Sequence, residues 1–570
     1  MRVAYNILLL EVNMRKTKLA GLILAFAMLF TACTPAADPT TSAGTQPATT
    51  AGDTTGSTTT ASDTAAQGTT PDTTTADPVK VEGGTYVYPL TADPKVMNPL
   101  YAVDSDTLTP VNAMFAPLFM LDAAKGETRY YLAESVETSE DFLTYTVKLK
   151  DGLKWHDGEA LDADDIIFTM ETILDENQKT HFMGYFMVSG EPVTVNKVDD
   201  LTVEFVLPAV SVPFLTNLER LKPLPEHYYG GEADLSTSTL NAEPVGSGPF
   251  KFKEFASGQR VELERFDDYF DGASSLDNVV FTIIADPNSA NTAVLSGELD
   301  SRKLSSGDVD TFIDNEDFTV VVYGGGRVDN MVIKQTNEAL QNKDVRKAIA
   351  YGINKDEIIQ GVFQGSEYAS VAYSVFGPET LYFTEDLEKY ERDVDKAKEL
   401  LKGAGYETLD LRLAYTNTSD QLEATGLIIQ QQLAEAGINI ELMPLERGAF
   451  VEGLTNPDST DFDLAFNGYN VGYEPNGYSP LFLTGQPNNF MKYENTDLDQ
   501  LWSDGIVETD PVRRQEIYET IQKTLIDDMA LYPINHPMSI LVVNNRIGGV
   551  EEARPTPNGF EDFSKIYIME

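Results

Sequence analysis

AESVETSEDFLTYTVKLKDGLKWHDGEALDADDII, residues 133–167, decides the fold. Within it Leu143, Tyr145, Val147 and Leu149 alternate with Thr144, Thr146, Lys148 and Lys150. A side-chain period of two puts one face in a core and the other in water, so the segment is a strand. Asp151-Gly152 makes a tight turn, Leu153 and Trp155 continue the apolar face, and Asp157-Gly158 makes a second turn. Asp162 is placed to cap a helix, and Asp164 and Asp165 fall on its first turn, where the macrodipole favours negative charge. Ile166, Ile167, Met170, Ile173 and Leu174 then share one helical face. The triplet Trp155-His156-Asp157 has two readings. A His beside an Asp suggests a catalytic dyad, but adjacent residues on a strand point to opposite faces, so the triplet reads as structural.

The chain has 570 residues, more than one compact core usually holds, so two or three lobes are expected. Its 41 basic and 90 acidic residues leave a net charge of −49. Binding phosphates needs Lys/Arg clusters, so nucleic acid is excluded as a partner. The charge instead suits a soluble, monomeric, exported protein. The single cysteine, Cys33, permits no intramolecular disulfide. The four histidines, His156, His181, His227 and His536, are scattered without zinc-ligand spacing. Asp162-Ala163-Asp164-Asp165 lacks the glycine and the distal glutamate of a calcium loop. No metal site, no cofactor and no catalytic residue is expected.

Residues Met14 to Cys33 read as an export signal: Arg15, Lys16 and Lys18 are basic, and Leu19 to Phe30 is an apolar run too short to span a membrane comfortably. Phe30-Thr31-Ala32-Cys33 resembles the lipobox of bacterial lipoproteins, with Phe30 where Leu is usual, which implies a lipid on Cys33. Because Met1 to Asn13 precede a complete signal, translation is expected to start at Met14. Residues 34–78 are almost all Thr, Ala, Ser, Asp, Pro and Gly, a composition that stays disordered and reads as a tether. Such a chain spans on the order of 35–40 Å root-mean-square.

The signature stretch has company. Leu132-Ala133-Glu134-Ser135, Thr144-Tyr145, Lys154-Trp155-His156-Asp157-Gly158 and Asp165-Ile166 appear in order. Met97-Asn98-Pro99-Leu100 precedes them. Glu243-Pro244-Val245-Gly246-Ser247-Gly248-Pro249-Phe250 follows, with neither the Lys-Ser/Thr of a phosphate loop nor a nucleophile elbow. Asp344-Val345-Arg346-Lys347-Ala348 through Asn354-Lys355 is a further motif far along the chain. Together these resemble the extracytoplasmic solute-binding proteins of the oligopeptide and dipeptide ABC importers, solute-binding family 5. The resemblance implies an α/β fold of the periplasmic-binding-protein type, two lobes closing like a flytrap, with an extra subdomain on the first lobe. The expected division is 1–33 signal with lipobox, 34–78 tether, 79–323 plus 536–570 lobe I (108–225 the appended subdomain), and 324–535 lobe II.

Elements in lobe II can be read locally. Asp393 to Leu401 is a capped helix with Gly403 as its stop. Leu409–Ala414, Gln421–Glu435 and Ile438–Leu442 form a βαβ unit, which implies a parallel sheet. Gln486 to Tyr493 is expected to be strand-like, Trp502 to Asp528 to hold a helix, and Asn535–Asn544 and Lys565–Ile568 to be strands returning to lobe I. Gly324-Gly325-Gly326 is either a hinge crossing between lobes or a plain loop.

Ligands sit at the carboxyl ends of strands in such sheets. The strand Phe462 to Phe466 leads into Asn467-Gly468-Tyr469-Asn470-Val471-Gly472-Tyr473-Glu474-Pro475, which resembles the family's ligand-contacting loop. In the family an aspartate four places before the proline meets a peptide's ammonium group; here that place holds Val471, and Glu474 is expected to face the cleft nearby. Tyr469, Tyr473 and Tyr478 either line a wet pocket or are ordinary half-buried tyrosines. Arg447 either meets a carboxylate or makes a surface salt bridge, and the resemblance adds Val103, Asp104, Arg327, Asn467 and Asn470 as candidate ligand contacts. The implied function is capture of peptides by a lipid-anchored protein on the outer face of a Gram-positive-like membrane, and delivery to permease subunits with cytoplasmic ATPases. The alternatives are a non-peptide solute (sugar, opine or metal chelate) in the same fold, an adhesin or sensor, and an extracellular peptidase, which would need a nucleophile or metal.

Overall fold

The computed structural model describes residues 79–122, 127–456 and 459–570. The signal, lipobox, start-codon and tether expectations lie outside the described residues. The signature stretch forms the strand Thr144–Leu149, with Tyr145, Val147 and Leu149 buried and Lys148 exposed. It is central in an antiparallel sheet ordered Ala133–Thr138, Thr144–Leu149, Thr202–Val206, Thr194–Asp199. The helix Ala163–Leu174 buries Ile166, Met170 and Ile173, and Asp162 and Asp165 form a reciprocal capping box at its start.

The Trp-His-Asp triplet holds this layer together. Trp155 is fully buried and its indole N–H donates to Asp165 at 2.9 Å. The His156 ring accepts from the Gly246 amide at Nδ1 (3.1 Å) and donates from Nε2 to the Gly248 carbonyl (3.0 Å). Those partners fix the neutral tautomer with its proton on Nε2, and burial pushes the imidazole down to about 4. Asp157 turns away and pairs with His227 at 2.7 Å. The glycine-rich motif 243–250 is thus clamped onto the signature turn. Its glycines are required by close approach: a Cβ on Gly246 would overlap the Met114 carbonyl, and one on Gly248 would lie 2.6 Å from Ala113 O.

A second sheet, Phe250–Ala256, Arg260–Arg265, Asn278–Ile283 and Thr85–Leu90, adjoins this layer. One apolar core takes residues from 86–281 and 541–566, and another takes residues from 331–534. A small third core joins residues of 290–312 to Ile540 and Val542. The fold is a two-lobed α/β one with the Thr144–Leu149 sheet as the added layer of the first lobe.

The second body is built on a sheet in the order Leu531–Asn544, Arg327–Ile333, Leu464–Asn470, Leu409–Thr416, Ile438–Leu445. The βαβ unit is as read: Leu409 pairs with Ile438 in parallel, and the helix Asp420–Glu435 connects them. The sheet is mixed rather than parallel throughout, because Arg327–Ile333 runs antiparallel to both neighbours. Three local expectations are corrected. The helix Val394–Gly403 stops at Gly405, not Gly403: Gly405 has φ +95, and Tyr406 N–H reaches back to Leu401 O in a Schellman motif. Residues 486–493 are turns, since the Asn489 side chain takes the bonds a ladder would use, donating to Tyr493 O at 2.7 Å and accepting from Tyr493 N at 3.1 Å. Two helices, Thr496–Val507 and Pro511–Asp527, stand where one was expected, with Asp510 capping the second.

Candidate functional site

The strands Leu409–Thr416, Ile438–Leu445 and Leu464–Asn470 all end at one edge of the second sheet, and the antiparallel Arg327–Ile333 begins there. The chain leaves the second body at the same edge. Leu531–Asn544 pairs with Arg327–Ile333 through residues 531–535, then with Phe318–Gly324 through residues 538–544. This edge therefore faces the first body, and the crossings are Gly324–Arg327 and the middle of the long strand. Further contacts between the bodies include Val212 N–H donating to Ile506 O at 2.9 Å, the Gln421 amide donating to Ser306 Oγ at 3.2 Å, and Tyr368 packing on the small third core.

The strand Leu464–Asn470 is the notable element of the edge. On one side it pairs along its whole length with Arg327–Ile333. On the other it pairs with Leu409–Thr416 only through Leu464 and Ala465. From Asn467 to Asn470 that side has no strand neighbour among the described residues. Unpaired ladder groups at an accessible edge are a template for an added strand.

Asn467 and Asn470 lie on this strand, opposite Asn330 and Arg327. The Asn470 amide reaches across to the Gly325 carbonyl. Arg327 is half exposed and bonds Asp329 at 2.6 Å. Tyr469 does not face outward: its hydroxyl donates to Val375 O at 2.8 Å, its ring packs edge-on to Tyr478, and burial raises its phenol well above the usual range. Tyr478 is likewise interior, accepting from Gly377 N at 2.8 Å. Tyr473 is half-buried; its phenol is raised by burial first and then by Tyr382, Glu474 and, from the first body, Glu219. Val471 packs against the second core.

Glu474 departs from its expected outward pose. Its carboxylate caps the turn Pro475–Tyr478 through Asn476 N at 2.9 Å and pairs with Arg514 at 2.6 Å in the interior. A buried arginine on the helix Pro511–Asp527 attracts it more than an open cleft does. Asp104 caps the helix Ser105–Met114 through Thr107 N and lies 3.5 Å from Lys95, and Val103 beside it is exposed. Arg447 opens the helix Arg447–Thr455 and is exposed, with no ion pair among the described residues. The edge thus brings together Arg327, Asn467, Asn470, Val471 and Tyr473; Glu474 and Tyr469 support it from inside.

The sequence reading missed Glu379. Its segment runs alongside the loop, with Thr380 Oγ1 donating to Gly472 O at 3.0 Å and Leu381 N–H to Tyr473 O at 2.9 Å. Gly-Pro-Glu-Thr at 377–380 has no periodicity or motif that marks it in advance. Glu219 was missed too; burial pushes its carboxyl up to about 7.

The sequence profile of the bacterial extracellular solute-binding proteins, family 5 (middle region), matches residues 127–490. The oligopeptide-binding protein AppA of Bacillus subtilis is 30% identical over 482 residues, 80% of this chain and 87% of that protein. The crystal structure of the ABC transporter substrate-binding protein CtaP from Listeria monocytogenes superposes with a TM-score of 0.84 at 40% identity, covering 86% of this chain and all (100%) of that one. AppA of Bacillus subtilis, solved with a nonapeptide, superposes at a TM-score of 0.70 and 25% identity, covering 86% and 100%. This two-bodied chain, with its signature layer and its bare strand edge, belongs to the bacterial extracellular solute-binding proteins of family 5.

Proposed function

We propose that this chain captures peptides, oligopeptides foremost, between its two bodies and delivers them to the permease of an ABC importer. The observation that carries this is the unpaired side of Asn467–Asn470. An extended peptide added there would satisfy its main-chain donors and acceptors whatever its side chains are. Relatives named for oligopeptide and dipeptide binding support the same guest. Binding, orientation and release are the work of the site; no bond in the guest is made or broken.

In this reading Gly324, Gly325 and Gly326 form one hinge strand and the middle of Leu531–Asn544 the other. Lobe I comprises 79–323 plus 536–570, with 108–225 appended, and lobe II comprises 324–535. Arg327, Asn467, Asn470, Val471 and Tyr473 line the guest's slot, with Arg447, Val103 and Asp104 at its margins. A lipid on Cys33 holds the chain at the outer face of the cell membrane, and residues 34–78 give it reach. The protein works as a monomer beside its permease subunits. Among the described residues no helix is long and apolar enough to cross a membrane.

The test is native mass spectrometry of the chain purified from peptide-rich medium, followed by denaturation to release what it holds. Mixed-sequence peptides are the expected result. A single defined non-peptide mass would replace the peptide reading with a specialised solute, and cleavage of peptides by the pure protein would overturn the binding reading altogether.

A further inference from the structure

The helix Thr496–Val507 ends where the site loop and the first body come together. The last carbonyls of a helix have no amide of their own helix to accept from. Here two consecutive ones are taken by groups from outside. Gly505 O accepts from Arg514 Nε at 2.9 Å, and Ile506 O accepts from Val212 N–H of the first body at 2.9 Å. Arg514 is the residue that holds Glu474 of the site loop at 2.6 Å. One carbonyl of the helix end is thus tied to the site loop, and the next to the added layer of the first body.

Val212 is not a loose tip. Its loop leaves the strand Thr202–Val206 and is fastened to the signature strand. Leu207 N–H donates to Leu143 O at 2.8 Å, and the Tyr145 hydroxyl donates to Ser211 O at 3.4 Å. Phe214 N–H closes the turn onto Ser211 O at 3.0 Å, and its fully buried ring packs on Tyr145 with 5.0 Å between centroids. The helix Phe214–Glu219 follows at once. At its far end the Glu219 carboxylate accepts the Leu121 amide and lies near enough to Tyr473 of the site loop to disturb its phenol. One braced arm, 207–219, therefore meets the second body at two points: the helix end through Val212, and the site loop through Glu219.

We propose that the arm 207–219 is a latch that engages the second body when a guest is seated, and that holding the bodies together is the task of the added layer. The assignment rests on the peptide reading above. The coupling runs through named groups. A guest lying along Asn467–Asn470 orders the loop that follows, Glu474 and Arg514 carry that order to Gly505, and the adjoining Ile506 carbonyl is then presented to Val212 N–H. In the empty chain both groups turn to water, which replaces the bond they lose. A single bond of this strength does not close an empty chain, and it adds its increment to a filled one.

The experiment is hydrogen exchange at the Val212 amide of the full chain, with and without a random-sequence peptide pool. It is paired with equilibrium dialysis of the isotope-labelled pool against wild type and Val212→Pro. The amide is expected to exchange about tenfold more slowly, or slower still, when the pool is present. Proline at 212 removes the donor at the second position of a turn, where proline is favoured. Apparent affinity for the pool is expected to fall about fivefold, the equivalent of one hydrogen bond of about 1 kcal/mol, while the amides of Thr144–Leu149 keep their protection. A Val212 amide equally open, or equally protected, in both conditions overturns the proposal whether or not the variant folds. So does a folded Val212→Pro chain with wild-type affinity. If the wild type binds no peptide of the pool, the peptide reading fails and the latch falls with it.

Discussion

The Glu474 carboxylate and the Arg514 guanidinium meet at 2.6 Å with only 11% and 3% of their side chains exposed. Arg514 also donates to Gly505 O at 2.9 Å, so one ion pair ties the site loop to the helices Thr496–Val507 and Pro511–Asp527. Removing one partner of a buried pair leaves the other charge stranded. Glu474→Ala is expected to lose about 3–5 kcal/mol, measured by denaturant unfolding. The double change Glu474→Leu with Arg514→Met is expected to recover much of that loss, because neither charge then remains. A single variant as stable as the wild type would show that the pair does not organise the loop.

His156, Gly246 and Met114 form a second junction that admits no extra atom. Gly246 has no room for a methyl group against the Met114 backbone, and backbone does not move aside as a side-chain tip does. Gly246→Ala is expected to cost about 3 kcal/mol or more. Gly231→Ala, where nothing lies within 4 Å of the added carbon, is the control and is expected to change stability by less than about 0.5 kcal/mol. Similar losses at both positions would contradict the close-approach account.

The contrast between these junctions shows what a sequence discloses. The signature layer was legible because its information is local: a two-residue alternation at Leu143–Leu149, turns with glycine, a capped helix at Asp162. The βαβ unit 409–445 was legible for the same reason. Glu474 was misjudged because Arg514 is 40 residues away and nothing in either segment announces the other. Tyr469 and Tyr473 share a loop and a side chain, yet one points inward to Val375 and the other lies half-open, a difference set by the segment 375–382 that packs on them. Glu379 belongs to that same segment, and nothing in its local sequence marks it as a neighbour of the loop.

Stability should fall on acidification through a specific window. His156 titrates at about 4 in the folded chain against an ordinary 6.5, because burial disfavours its charge. Between those values the unfolded chain binds more protons than the folded one, so stability is full above pH 6.5, falls as pH drops, and levels off below about 4. The shift corresponds to about 3 kcal/mol. His181, also at about 4, acts in the same direction, while Glu219, raised to about 7 from 4.5, acts in the opposite one between those values. The isolating measurement is therefore the difference in unfolding free energy between wild type and His156→Asn across pH 4–7.5. The wild type's margin is expected to shrink steadily toward acid; a margin that stays constant would mean that the ring titrates in the native state as it does in the unfolded chain, and one that grows would mean that it is held charged.

The bodies should move about the glycine crossing when the guest leaves. In the described state they touch away from the hinge strands, through Val212 with Ile506 and Gln421 with Ser306. Each of those hydrogen bonds is worth about 1 kcal/mol net, little to set against the entropy of opening. A guest bonded to both bodies can hold the form closed. Spin labels at Val198→Cys in the appended sheet and Leu427→Cys in the second body, both more than half exposed at 54% and 51%, leave the interior undisturbed. Their separation is expected to be long and broadly distributed without peptide, and short and narrow with it. Gly326→Ala, which forces a side chain into φ +63 against Glu379, is expected to weaken peptide binding about tenfold by penalising the closed backbone. A peptide that raises the melting temperature while the label distance stays fixed would mean that the guest enters a preformed slot and that Gly324–Gly326 is an ordinary loop.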